Sequence, residues 1–348
     1  MFKSSKVHPD LASPAPASAL PRATRIVLAL AALPVLTTFA PAALFREPVL
    51  PRQAALSFEA LPLDPGDPAR RNAGGLTYLG GWAVTSNDPR FGGISAMAVQ
   101  GADVIAVSDS GSLIEFRLPG FGPPRLRIRP LPAGPGPAGS KLDRDAETLV
   151  VHGKRAWISF EGHNSVWRYG LPGWRGESNA EPSAMRRWPS NQASEAIVRL
   201  RDGTFLIFAE NRRRRDGSTE VAHFDGDPAL PATRTASLGY RAPAGYRITD
   251  AALLPDGRVL FVNRRFRWLA GFSVKLTLAD LPGLSAGSVL AGEEIAHLAP
   301  PMTIDNMEAV SVTSESGRTI LWLASDDNFN GMQRTLLLKF ALVEGPRS

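Results

Sequence analysis

"DAETLVVHGKRAWISFEGHNSVWRY", residues 145–169, is the stretch on which the fold turns. It opens on acids, runs through apolar residues 149–151, turns at Gly153, and resumes with a second apolar run at 156–160. A polar loop at Glu161 then leads to a third run ending at Tyr169. Short apolar runs separated by Gly-containing turns read as strands in tight hairpins, and no part of the stretch carries the 3.6-residue apolar period of a helix.

The same plan returns four times. It reads "ISAMAVQGADVIAVSDSGSLIEFRL" at residues 94–118 and "ASEAIVRLRDGTFLIFAENRRRRDGSTEVAHF" at 193–224. It reads "ITDAALLPDGRVLFVNRRFRWLAGFSVKL" at 248–276 and "NMEAVSVTSESGRTILWLASDDNFNGMQRTLLLKF" at 306–340. Copies of a small sheet about fifty residues apart cannot bury their faces singly and must stack. Closing the stack into a ring removes the exposed edges. The expected fold is all-β, a β-propeller of about six blades, with five to seven admitted. The strand-like "GGLTYLGGWAV" from Gly74 is expected to combine with the carboxyl-terminal strands and close a further blade.

Composition removes several function classes. The chain has 348 residues, a formal net charge of +6 and no Cys, which excludes a disulfide framework, a thiol nucleophile and a Cys-based metal site. Gly and Pro, 32 and 30 in number, are spread between the apolar runs and suit many turns. Arginines are scattered except in "NRRRRDG", and aromatic and basic residues do not alternate as in a base-stacking platform, so no nucleic-acid partner is expected. There is no G-x-S-x-G elbow and no phosphate-cradling G-x-x-x-x-G-K motif, and the five His are too dispersed to suggest zinc.

Lys3, Lys6, Arg22 and Arg25 precede "IVLALAALPVLTTFAPAALF", residues 26–45, with Ala40-Pro41-Ala42 at A-x-A spacing. A basic region followed by an apolar one reads as an export signal cut near Ala42 or Ala43. Uncleaved, it is long enough for an amino-terminal membrane anchor. The organisation expected is a leader at 1–43, a Pro-rich linker at 44–73 and a propeller at 74–348, working in the periplasm or outside the cell.

Set in register on the turn Gly, the copies place Asp109, Glu161, Glu210 and Asp326 after the second strand, with Arg264 in that place in the fourth copy. The first strand opens on Glu147, Glu195, Asp250 or Glu308, and on Ser95 in the first copy, allowing a one-residue shift. In a propeller these positions surround the axis, so the acids form rings. Converging carboxylates repel one another, and either Arg264 with Arg265 and Arg267 beside it or a bound cation has to offset them. Oxygen ligands from Asp, Glu and Asn suit a hard ion such as Ca²⁺, with Asp327 and Asn328 enriching the last copy. Taken one at a time, such residues also serve as turn caps.

These motifs, "SDSG", "DAETLVV", "ISFEGHNSVWRY", "ASEAIVRLRDGTFLIFAEN", "ITDAALLPDGRVLFVNRRF" and "ASDDNFNGMQRTLLLKFAL", resemble the bacterial family labelled esterase-like activity of phytase, over roughly residues 74 to 342. The resemblance implies an exported propeller to which phosphoester cleavage is attributed. Carried over residue by residue, it marks Asp109, Glu147, Glu161, Glu195, Glu210, Asp250, Glu308, Asp326 and Asp327, with Arg264 as the basic member. The first copy departs, with Ser95 and Ala96 following "GGI".

The expected chemistry is metal-assisted hydrolysis of a small phosphate ester. Ca²⁺ would be held by Asp109, Glu147, Glu195, Asp250, Glu308, Asp326, Asp327 and Asn328, with Arg264 or Arg265 on a phosphate oxygen and Glu161 or Glu210 as general base. A Ca²⁺-dependent lactonase or carboxylesterase and a non-catalytic ligand-binding propeller remain the alternatives.

Overall fold

Two of the repeats turn through an Asp-Gly pair, and the chemistry of that turn sets where their strands end. Asp202 Oδ1 and Asp256 Oδ1 accept the N–H groups of Thr204 and Arg258, each at 3.0 Å. Gly203 and Gly257 take φ of +91° and +98°, which side chains resist. A chain punctuated in this way reverses after each short apolar run.

The computed structural model describes residues 50–138, 140–189, 193–281 and 283–343. The leader expected at 1–43 and positions 44–49 of the expected linker lie outside the described residues. Among the described residues, no helix is long and apolar enough to cross a membrane.

Three strands come first, β1 (Leu56–Ala60), β2 (Asn72–Ala73) and β3 (Leu76–Ser86). The first blade is β4 (Ile94–Gln100), β5 (Asp103–Ser108), β6 (Ser112–Arg117) and β7 (Leu126–Pro130). A single helical turn, α1 (Lys141–Arg144), leads to β8 (Ala146–His152), β9 (Arg155–Phe160), β10 (Ser165–Gly170) and β11 (Arg175–Ala180). Blade 3 is β12 (Ser194–Arg199), β13 (Phe205–Arg213), β14 (Thr219–Phe224) and β15 (Thr235–Tyr240). Blade 4 is β16 (Arg247–Leu253), β17 (Val259–Arg267) and β18 (Gly271–Ala279). The chain then lays β19 (Val289–Leu290) parallel to β15, and returns to add β20 (Glu293–Leu298) to β18. Blade 5 is β21 (Met307–Glu315), β22 (Arg318–Ser325) and β23 (Leu336–Leu342).

The fold is thus a five-bladed all-β propeller, at the lower end of the expected range. The strand from Gly74 does meet the carboxyl-terminal strands, but it supplies the fourth strand of the fifth blade and starts no sixth. Leu337 pairs with Trp82 and Leu338 with Gly81. The three strands β21 to β23 lacked an outer partner, and β3 provides it. Residues 56–60 and 72–73, read in the sequence as linker, pair with β3 in the same sheet.

Each blade buries its faces on its neighbours, and the apolar core is divided into five clusters, one between each adjacent pair. Trp157 of blade 2 meets Phe205 of blade 3 with ring centroids 5.1 Å apart. Phe208 and Tyr240 of blade 3 meet Phe261 of blade 4 at 5.5 and 4.6 Å. The innermost strands β4, β8, β12, β16 and β21 contact one another in a closed ring around the axis. The start of each innermost strand and the end of each second strand lie at one mouth of this channel.

Candidate functional site

At that mouth every blade carries the same irregularity. The pairing of the innermost with the second strand slips between Ile94 and Ala96, Ala146 and Thr148, Ser194 and Ala196, Ile248 and Asp250, and Met307 and Ala309. The residues passed over are Ser95, Glu147, Glu195, Thr249 and Glu308. A bulge re-aims the extra side chain out of the ladder, which turns three Glu from three blades toward one another.

Asp250 is therefore not the ring member of blade 4. Thr249 holds that place, with its hydroxyl donating to the Met307 carbonyl at 3.0 Å. The Asp250 carboxylate, 6% exposed, accepts the N–H of Ala251 at 2.8 Å and of Val310 at 2.7 Å. It ties β16 to β21, and burial pushes its carboxyl well above the usual range.

The second ring is placed by backbone bonds that repeat from blade to blade. The N–H groups of Asp109, Glu161, Glu210 and Asp326 donate to the carbonyls of Gly93, Asp145, Ala193 and Asn306, and Arg264 pairs with Arg247 at the same place in blade 4. The register expected from the sequence is correct here, yet the side chains divide into unlike groups. Glu161 draws close to Asp145 and Glu147, with one oxygen from each within 4.8 Å of the others. Glu210 accepts from Arg247 at 3.0 Å, and Arg264 donates to both Glu308 and Asn306. Asp109 is engaged by Lys141 of α1. Asp326 accepts the Asn328 N–H at 2.7 Å.

Asp327 and Asn328 are occupied by the fold. Asp327 accepts the N–H groups of Gly93 and Phe329 at 3.0 Å each and the Thr335 hydroxyl at 2.8 Å, and so fastens blade 5 to blade 1. Asn328 sits at φ +50° with its amide donating to Gln333 at 2.8 Å. Both take part in loop construction, the turn-cap role open to any single residue of this kind, and Asn328 also lines a cavity at the mouth.

The crowding has an electrostatic cost. Burial pushes Glu147 and Glu195 well above the usual carboxylate range, and repulsion adds to it, from Glu195, Asp145 and Glu161 on the first and from Glu308 and Glu210 on the second. Burial takes Glu161 up to about 7 against the bond it accepts from the Ala193 N–H. Glu308 is pushed up to about 7 by burial in spite of Arg264, and Asp326 to about 7 in spite of the Asn328 N–H.

The group Asp145, Glu147 and Glu161 fits a hard cation. The donors are all oxygen, they are mutually close, and Asp145 Oδ1 is buried without a hydrogen-bond partner. Across the mouth lies a cavity of about 990 Å³ lined by Arg247, Arg264 and Arg265 together with Glu210, Glu308 and Asn306, and by Phe266 and Phe272. Arg265 lies 4.4 Å over the Tyr246 ring, with its Nε buried and unpartnered. One side of the mouth gathers carboxylates, and the other sets arginines among Glu210, Asp305 and Glu308.

Asp145, Arg247 and Asn306 escaped the sequence reading. The signal was present in the triplets Asp145-Ala146-Glu147, Arg247-Ile248-Thr249 and Asn306-Met307-Glu308, whose first residue lies opposite the end of the second strand and whose third occupies the bulge.

The family model described as Phytase-like, esterase-like activity of phytase, matches residues 89–329. No curated protein matches the sequence. Among solved structures, the chain is similar to the glutaminyl cyclase of Myxococcus xanthus at 12% identity and a TM-score of 0.42, over 73% of this chain and 92% of that one. It is similar to the major allergen Mala s 1 of Malassezia sympodialis at 11% identity and 0.43, over 71% and 92%. A bifunctional GH43-CE protein of Bacteroides eggerthii aligns at 12% identity and 0.47, over 72% of this chain and 33% of that one. At these values the structural likenesses carry no argument.

Proposed function

The chain belongs to the phytase-like family, and from that premise we propose that it hydrolyses small phosphate esters at the channel mouth with the help of a divalent cation. The observation that carries this reading is the placement of three close carboxylates on blade 2 opposite an arginine-lined cavity on blade 4. Glu195 of blade 3 stands between them and feels both Glu161 and Arg264.

Asp145, Glu147 and Glu161 are the residues to hold the cation. When bound, such an ion supplies positive charge to the phosphoryl group and acidifies water. Arg264 and Arg265 receive the phosphate oxygens, in a fork geometry that suits them. Glu195 is the proton acceptor for the attacking water, because Glu161 is drawn into the carboxylate group and Glu210 is engaged by Arg247. This differs from the assignment the sequence alone suggests, with Glu195 a ligand and Glu161 or Glu210 the base. Ca²⁺ remains the ion best matched to an all-oxygen donor set. A location outside the cytoplasm goes with this reading and rests on the leader read at 1–43.

The test is turnover of phytate and an aryl phosphate with Ca²⁺ and with chelator. Glu195→Gln is expected to lower kcat by about 100-fold or more with KM little changed. Wild-type turnover untouched by chelator removes the cation from the proposal, and an undiminished Glu195→Gln removes the base. Hydrolysis of lactones or carboxyl esters in place of phosphates would transfer the site to that chemistry. Stabilisation by the ion without turnover of either would leave a binding propeller.

A further inference from the structure

The hairpins between second and third strands crown the mouth, and their tips differ in chemistry. Those of blades 1 and 2 are polar, "DSG" at 109–111 and "EGHN" at 161–164. In blade 4, β17 and β18 run to nine residues each and carry "RRFRWLAGF", residues 264–272. The pairing continues to Phe266 with Phe272 and Arg267 with Gly271, so Trp268, Leu269 and Ala270 form the turn beyond the last pair. Trp268 is 82% exposed and Leu269 96%. The other six of the chain's seven Trp are buried or half-buried. Large apolar side chains displayed together on a loop tip indicate a contact surface.

The charge beside them is mostly positive. Arg267 is exposed next to Trp268, and the neighbouring hairpin of blade 3 exposes Arg212, Arg213 and Arg215. Asp216, the carboxylate of that hairpin tip, is engaged by Ser218 and Arg214. Indole prefers the headgroup level of a bilayer, leucine the acyl region just below, and guanidinium groups the lipid phosphates. We propose that the β17–β18 tip docks on an anionic lipid bilayer and brings the channel mouth to the membrane surface. Charge complementarity selects the bilayer as occupant, because it offers apolar depth and negative charge at every point of contact.

Fluorescence of the full chain on phosphatidylglycerol vesicles with brominated acyl chains tests this. Residues 1–49 contain no Trp, so the emission comes from the propeller alone. Bromolipid is expected to quench part of the emission, and Trp268→Phe to abolish that part. Arg267→Glu should require about tenfold more lipid for half-maximal quenching. Absence of quenching, quenching that persists in Trp268→Phe, or equal quenching on phosphatidylcholine vesicles overturns the proposal. Docking stands apart from the catalytic reading. Turnover of a soluble aryl phosphate by Trp268→Phe is expected to match wild type, and a wild type without turnover bears on the chemistry alone.

Discussion

Asp250 spans two blades with a single carboxyl group, taking one N–H from its own strand and one from β21. Removing it leaves two buried donors without an acceptor, so Asp250→Ala is expected to cost about 2–4 kcal/mol in urea unfolding. A loss below about 0.5 kcal/mol, the range of an ordinary surface change, would contradict the role. Its neighbour Thr249 and the acids Glu147, Glu195 and Glu308 occupy the bulge instead. The sequence repeats were enough to pick out those three Glu, because each follows two residues behind a recognisable blade start. They were not enough to separate Thr249 from Asp250, since a bulge is a one-residue slip and the alternation of apolar residues is satisfied with either register. Asp327 and Asn328 carry a related ambiguity. An acid that caps a loop and an acid that binds an ion have the same letter, and only the donors arriving from Gly93, Phe329 and Thr335 tell them apart.

β3 is an element whose partner is far away in sequence. Hairpins were legible because Gly and Asp-Gly turns mark them locally; the meeting of residues 76–86 with 336–342 was expected too, but no local mark says whether it completes an existing blade or adds another. The fit is close at Gly81. A Cβ there would lie 2.6 Å from Leu338 Cδ2 and meet the Tyr78 hydroxyl as well. Gly81→Val is accordingly expected to destabilise the protein by about 1–3 kcal/mol through overpacking of the closing strand, read as a lowered urea midpoint with unchanged slope. Stability equal to wild type would mean that β3 contributes little to closure.

The molecule as a whole carries an excess of buried acid at one end of its axis. Glu161 and Glu308 titrate at about 7 against an ordinary value of 4.5, and Asp326 at about 7 against 3.8. Between those values the folded chain retains protons that the unfolded chain has released, so its stability falls as pH rises through the window and stays low above it. In chelator, Tm at pH 8 is expected to lie several degrees below Tm at pH 5, and Ca²⁺ to recover most of the difference at pH 8. A Tm that is flat or rises with pH would show that the acids do not crowd one another. The seam between blades 5 and 1, fastened by β3 and by Asp327 on the Gly93 N–H, acquires a further meaning here. Neighbouring blades can meet soon after their own hairpins form, but the seam joins distant segments and is slow to shut. While it stands ajar the carboxylates can spread apart, and their mutual repulsion relaxes. An ion held by Asp145, Glu147 and Glu161, all on blade 2, would ease the crowding there and leave the seam itself to β3 and Asp327.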